Sequence, residues 1–181
     1  MEEIKRKPLF NPKGDIDVRN RRMINFNTTN INDFNNMRYE WVLDWYRQAM
    51  NNFWVPEEIN LNQDKSDYPK LSEAERRAYD KILSFLVYLD SLQSANLPNI
   101  SQYVTANEVN LCLSIQTFQE CIHSQSYSYM LDTICNPTER NDILYQWKTD
   151  EHLLRRNEFI GNLYNEFVEK QNKDSFLRVC I

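Results

Sequence analysis

The chain has 181 residues and a formal net charge of -5, with 21 basic side chains scattered among 26 acidic ones. It offers no basic stripe to follow a phosphate backbone, and nucleic acid is not an expected partner. Its only glycines are Gly14 and Gly161, which excludes the Gly-rich loops that cradle phosphates and dinucleotides. The length suits one domain, residues 1–181, with a sizeable core. No leader-like apolar run follows the basic residues of MEEIKRKPLF, and no uncharged stretch is long enough to cross a bilayer. A soluble, cytoplasmic protein without membrane contact is expected.

Residues 1–34 are polar, rich in Asn and Arg, and predicted to form a largely irregular arm. From Asn35 to about Asn52, the positions Met37, Trp41, Val42, Trp45 and Met50 recur at helical spacing. Pro56 in FWVPEE disfavours helix at Val55 and should end that element. A charged connector, NLNQDKSDYPK, leads to Ser72 and Glu75, whose spacing spells a capping box. The helix opened there carries Tyr79, Ile82, Leu83, Leu86, Val87 and Leu89 to about Ala95, and a connector with Pro98 follows. Thr105 and Glu108 spell a second capping box, for a helix through Ile134. Asn136, Pro137 and Glu139 spell a third, with proline at the first helical position. The helix it opens is predicted to run through Trp147 and Phe159 to about Lys170. After Asp174 or Ser175 another helix begins, and the sequence stops at FLRVCI, which reads as a helix cut short. Cys112, Cys121, Cys135 and Cys180 lie in apolar helical pattern without the close pairing of a zinc or redox motif, and are expected to be reduced, buried thiols.

One stretch carries chemistry. In QECIHSQSYSY, Glu120 precedes His123 by three residues and Tyr127 follows by four, so the three share one helix face. A carboxylate and an imidazole aimed at one spot suit iron or manganese. The four-residue pattern alone is common by chance, but Asp90 strengthens it. Asp90 follows Leu83 by seven residues and Leu86 by four, on an apolar stripe where an ionised carboxylate is costly unless paired or bound to metal. Asp90 with Glu120 and His123 supplies half of a carboxylate-bridged two-metal site in a helical bundle. Tyr127 would stand one turn from the metal. His152, the other histidine, has Thr149 three residues before it and cannot repeat the motif; with Glu151 and Arg155 it reads as surface, the last two as an ion pair.

The segments NNFWVPEEINL, YLDSLQSANLPN and FQECIHSQSYSYML, in this order, resemble those of the small, radical-generating subunit of class I ribonucleotide reductase. The resemblance begins at PLFNPKGD and spans nearly the whole chain. It implies an all-α, ferritin-like helical bundle with a dinuclear iron or manganese-containing centre. It also implies that Asp90, Glu120 and His123 are metal ligands, that Tyr127 carries a stable radical formed with oxygen, and that Trp54 relays electron and proton from the large subunit. The partners implied are that large subunit, where ribonucleotides become deoxyribonucleotides, and a second copy of the chain in a homodimer. The family pattern continues with another carboxylate, a second Glu-x-x-His and a docking tail, none of which is present here. The chain therefore reads as the N-terminal part of such a bundle, lacking its last helices, with a separate C-terminal half as a further partner. Two other readings stay open: a different ferritin-like dimetal oxidase, and an incomplete, metal-free chain inactive alone. Trp54 and Tyr127 favour the reductase subunit, since an oxidase needs neither in those places.

Overall fold

In the computed structural model, which describes residues 2–180, seven α-helices carry the fold. They are α1 (Trp41–Asn51), α2 (Asn62–Asp67), α3 (Glu73–Ser101), α4 (Asn107–Ile134), α5 (Pro137–Tyr145), α6 (Glu151–Lys170) and α7 (Lys173–Cys180). No strand forms among the described residues; two isolated bridges, Glu3 to Asn172 and Ile24 to Val104, tie down the irregular arm. None of the described helices is long and apolar enough to cross a membrane.

The residues group into two compact units. The first comprises Met1–Phe53, Ala95–Phe118 and Leu163–Ile181. Its core is Ile4, Ile100, Tyr103, Val104, Phe167, Phe176 and Val179, with the Phe167 ring edge-packed on Tyr103 and Phe176 at 4.9 and 5.5 Å. A buried ion pair, Arg21 Nη1 to Glu108 Oε2 at 2.9 Å, lies in the same unit. The second unit comprises Trp54–Ser94 and Gln119–Asn162. There Leu83 of α3, Leu131 of α4 and Ile143 of α5 are buried together, each worth roughly 1.5–3 kcal/mol of transfer free energy.

The helix boundaries depart from the sequence pattern where tertiary partners claim backbone groups. Helix α1 begins six residues later than expected, because the amides of Arg38 and Tyr39 donate to the Glu108 carboxylate at 3.1 and 3.4 Å. Its tryptophans Trp41 and Trp45 and its Met50 are exposed; Val42 and Ala49 are the buried positions. The connector after Pro56 holds the short helix α2 and a 3-10 turn at Tyr68–Lys70. The first capping box forms as spelled, Ser72 N–H to Glu75 at 2.9 Å and Glu75 N–H to Ser72 Oγ at 3.4 Å. So does the third, at Asn136 and Glu139.

The second does not. Thr105 Oγ1 donates to the Arg22 carbonyl and accepts from Phe26 N–H, while Glu108 is engaged with Arg21, Arg38 and Tyr39. Pro98 lies inside α3, which runs on to Ser101; the proline forfeits one helical hydrogen bond, and burial of Leu97 and Ile100 holds the last turn. The expected single helix from Pro137 to Lys170 is broken after Tyr145. Trp147 N–H donates to Ser84 Oγ at 2.9 Å and its ring stacks on Tyr88 at 3.8 Å. Asp150 then caps α6, accepting from the amides of His152 and Leu153. His152 is exposed, and no ion pair among the described residues joins Glu151 to Arg155. All four cysteines are free, but only Cys112 is buried; Cys121 and Cys180 are exposed and Cys135 is half-buried.

Candidate metal centre

The residues singled out in the sequence all fall in the second unit. On α3, Leu83 is buried and Ser84 receives the Trp147 amide, which fixes the rotation of the helix. Two turns on, that rotation carries Asp90 on the same side as Leu83. On α4, Leu131 is fully buried, and stepping back along its face gives Tyr127, His123 and Glu120.

The two helices bring Asp90, Glu120 and His123 together, one ligand atom of each lying within 4.8 Å of the others. His123 Nδ1 faces both carboxylates, 3.2 Å from Glu120 Oε2 and 3.6 Å from Asp90 Oδ2. The carboxylates are largely shielded, each with 14% of its side chain exposed, and the imidazole is more open at 42%. Asp90 Oδ2 is buried and has no hydrogen-bond partner; the 3.6 Å approach of His123 is too long to be one. An ionised oxygen in that state is costly unless a cation meets it. Two carboxylates and an imidazole are a donor set for iron or manganese, and the bare Oδ2 lies among them. The residues therefore fit a metal ion, and among the described residues they form the one group of three or more such side chains close enough to do so.

Tyr127 packs against Leu83, Leu131 and Ile143 with Met130 beside it, and its hydroxyl faces the Asp90 carboxylate. Burial, then the hydrogen bond and negative charge of Asp90 and the charge of Glu120, push its phenol well above the usual tyrosine range. Ile143 of that cluster comes from α5, which ends where the Trp147 amide donates to Ser84. Trp54 is half-buried with its ring 6.2 Å from that of His123, tilted by 31°. Its segment is fastened to α4 at two points, Gln125 Nε2 to Glu57 Oε1 at 3.2 Å and the Tyr129 hydroxyl to the Ile59 carbonyl at 3.3 Å. These two fasteners had no signal in the sequence beyond their four-residue spacing on α4.

Comparison with known proteins gives the family of the chain. The family model described as ribonucleotide reductase, small chain, matches residues 31–181. A ribonucleoside-diphosphate reductase subunit beta of Treponema pallidum is 68% identical over 178 residues, 98% of this chain and 51% of that protein. Its counterpart in Aquifex aeolicus is 41% identical over 181 residues, 99% of this chain and 26% of that one. Among solved structures, the ribonucleotide reductase R2 subunit from Clostridium botulinum superposes with a TM-score of 0.94 at 52% identity, covering 98% of this chain and 56% of the other. The chain thus spans about half the length, or less, of the relatives it matches. Its helices are those of the ferritin-like fold of that group, and the chain belongs to the ribonucleotide reductase small chain family.

Proposed function

We propose that this chain is part of a ribonucleoside-diphosphate reductase small subunit and carries half of its metal ligands. In this reading Asp90, Glu120 and His123 hold metal, Tyr127 stores one oxidising equivalent, and Trp54 relays it to a large subunit that reduces ribonucleotides. The observation that carries the proposal is the convergence of the three donor side chains around a buried, unpartnered Asp90 oxygen with the Tyr127 hydroxyl facing the same carboxylate. When bound, a dinuclear iron or manganese-containing centre supplies, with oxygen, the oxidising power that removes an electron and a proton from Tyr127.

The remaining work is done by the protein's own side chains. Burial keeps the Tyr127 phenol protonated, so electron and proton leave together and the product is a neutral phenoxyl. Packing of the Tyr127 side chain against Leu83, Leu131 and Ile143 limits the approach of dissolved reductants, which lengthens the life of the radical. Trp54 stands beside the more open His123; its indole can pass an electron inward from a partner's surface. Pairing with a large subunit, assembly as a homodimer and a cytoplasmic location belong to the same proposal. So does completion of the two-metal site by the family segments beyond this half, joined or supplied as a second chain.

The test is reconstitution of the chain, completed by those segments, with ferrous ion and oxygen. A tyrosyl signal in electron paramagnetic resonance is expected, lost in Tyr127→Phe with metal uptake retained. Trp54→Phe should keep the signal and abolish nucleotide reduction with the large subunit. An unchanged radical in Tyr127→Phe refutes the assignment.

A further inference from the structure

A second tyrosine in the same unit has the surroundings of an oxidisable group. Tyr68, in the 3-10 turn after α2, is 5% exposed, and its hydroxyl donates to Asp80 Oδ1 of α3 at 2.7 Å. The Cys135 thiol, at the end of α4, also meets the phenol oxygen. Arg76 lies over the ring with its guanidinium carbon 4.6 Å from the centroid, and is itself paired with Glu139. The Tyr79 ring is 5.8 Å from that of Tyr68. Tyr79, Tyr127 and Cys135 all pack on the one cluster of Leu83, Leu131 and Ile143, so Tyr127 and two neighbours of Tyr68 share one patch of core.

We propose that Tyr68 is a second redox-active tyrosine, with Asp80 as its proton acceptor and Cys135 as the thiol through which it discharges to a small-molecule thiol. A cation above the ring disfavours loss of an electron alone, because the radical cation would be repelled. The proton must leave with the electron, and the Asp80 carboxylate is already in line to take it. Burial raises the affinity of Asp80 for that proton.

The steps balance. A one-electron oxidant removes the electron from Tyr68 while the phenolic proton passes to Asp80, leaving a neutral phenoxyl. Cys135 then gives its hydrogen atom to the phenoxyl oxygen: the S–H bond breaks, the O–H bond re-forms, and a thiyl radical remains. Asp80 returns its proton to solvent. A low-molecular-weight thiol reaches the half-buried sulfur, donates a hydrogen atom, and carries the radical away. In the working protein the oxidant is the Tyr127 phenoxyl, which takes the electron together with a proton from solvent; in that respect alone the inference rests on the function proposed above. The route gives a stranded oxidising equivalent an exit on the Cys135 side, away from the metal ligands.

The test uses the metal-free chain and an external oxidant, so it is independent of whether Tyr127 carries a radical. Flash-generated tris(bipyridine)ruthenium(III) oxidises the protein in the presence of a nitrone spin trap, and adducts are located by peptide mass spectrometry. An adduct at Cys135 is expected in the wild type and lost in Tyr68→Phe, while the adduct at exposed Cys121 persists in both. Urea should abolish the dependence on Tyr68. Labelling of Cys135 that is equal in wild type and Tyr68→Phe overturns the proposal. Should Tyr68→Phe fail to fold, Cys135→Ser serves: without its hydrogen donor the long-lived phenoxyl absorbance should decay more slowly, and an unchanged lifetime overturns the proposal equally.

Discussion

Replacing Asp90 by Asn separates a binding site from a structural polar cluster. In the metal-free chain Asp90 Oδ2 is buried without a hydrogen bond, and Glu120, a second carboxylate, shares the site. The amide of Asn removes one negative charge, offers an N–H to Glu120, and keeps an oxygen for the Tyr127 hydroxyl. Relief of one unsatisfied buried oxygen is worth about 1–3 kcal/mol. For a chain of this length each kcal/mol moves the melting temperature by roughly 2–4 °C, so Asp90→Asn should melt about 2–12 °C above the wild type in chelator. Saturating ferrous or manganous ion should close or reverse the gap. A ligand at a hundredfold its dissociation constant stabilises the wild type by about 2.7 kcal/mol, and the variant has lost a ligand. Thermal melts followed by circular dichroism, with chelator and with metal, read both effects. A variant less stable than the wild type in chelator would refute the reasoning, because Asp90 would then be a satisfied structural residue.

Three further outcomes follow from the same geometry. The isolated chain should bind at most one metal ion, weakly, since two ions sharing Asp90, Glu120 and His123 would leave most of their coordination to water; elemental analysis showing two tightly held ions would contradict this. Glu108→Ala strands the Arg21 guanidinium, whose side chain is 9% exposed, and removes the acceptor for two amides; a loss of about 3–5 kcal/mol is expected by urea denaturation. Cys112, buried and with its thiol pushed up to about 11 by burial, should resist iodoacetamide at pH 8 while exposed Cys121 reacts. Its alkylation should rise with pH toward the shifted value, and equal labelling of the two at pH 8 would count against the burial described.

What could be read in the sequence was local. Ser72 with Glu75 and Asn136 with Glu139 form capping boxes because nothing distant competes for their side chains. Thr105 with Glu108 has the same spelling but a different fate, since Arg22, Phe26 and Arg21 claim the same atoms from some eighty residues away in the chain. The break at Gln146–Lys148 and the persistence of α3 through Pro98 are likewise decided by Ser84, Tyr88, Leu97 and Ile100. No periodicity within the affected segments signals them. At the site, Glu120, His123 and Tyr127 were legible because one helix carries all three, and Asp90 because a charge on an apolar stripe needs a reason. The distance between the two helices, the bare Oδ2 and the seating of Trp54 against His123 come from packing across the unit, and needed the structure.

The most direct test of the central claim is which side chain ligates the metal. The chain has two histidines, His123 and His152, so labelling with nitrogen-15 histidine and loading with manganous ion gives an unambiguous readout in pulsed electron paramagnetic resonance. The account predicts coupling to a histidine nitrogen that is retained in His152→Gln and lost in His123→Gln. Coupling that survives in His123→Gln, or vanishes in His152→Gln, would contradict it.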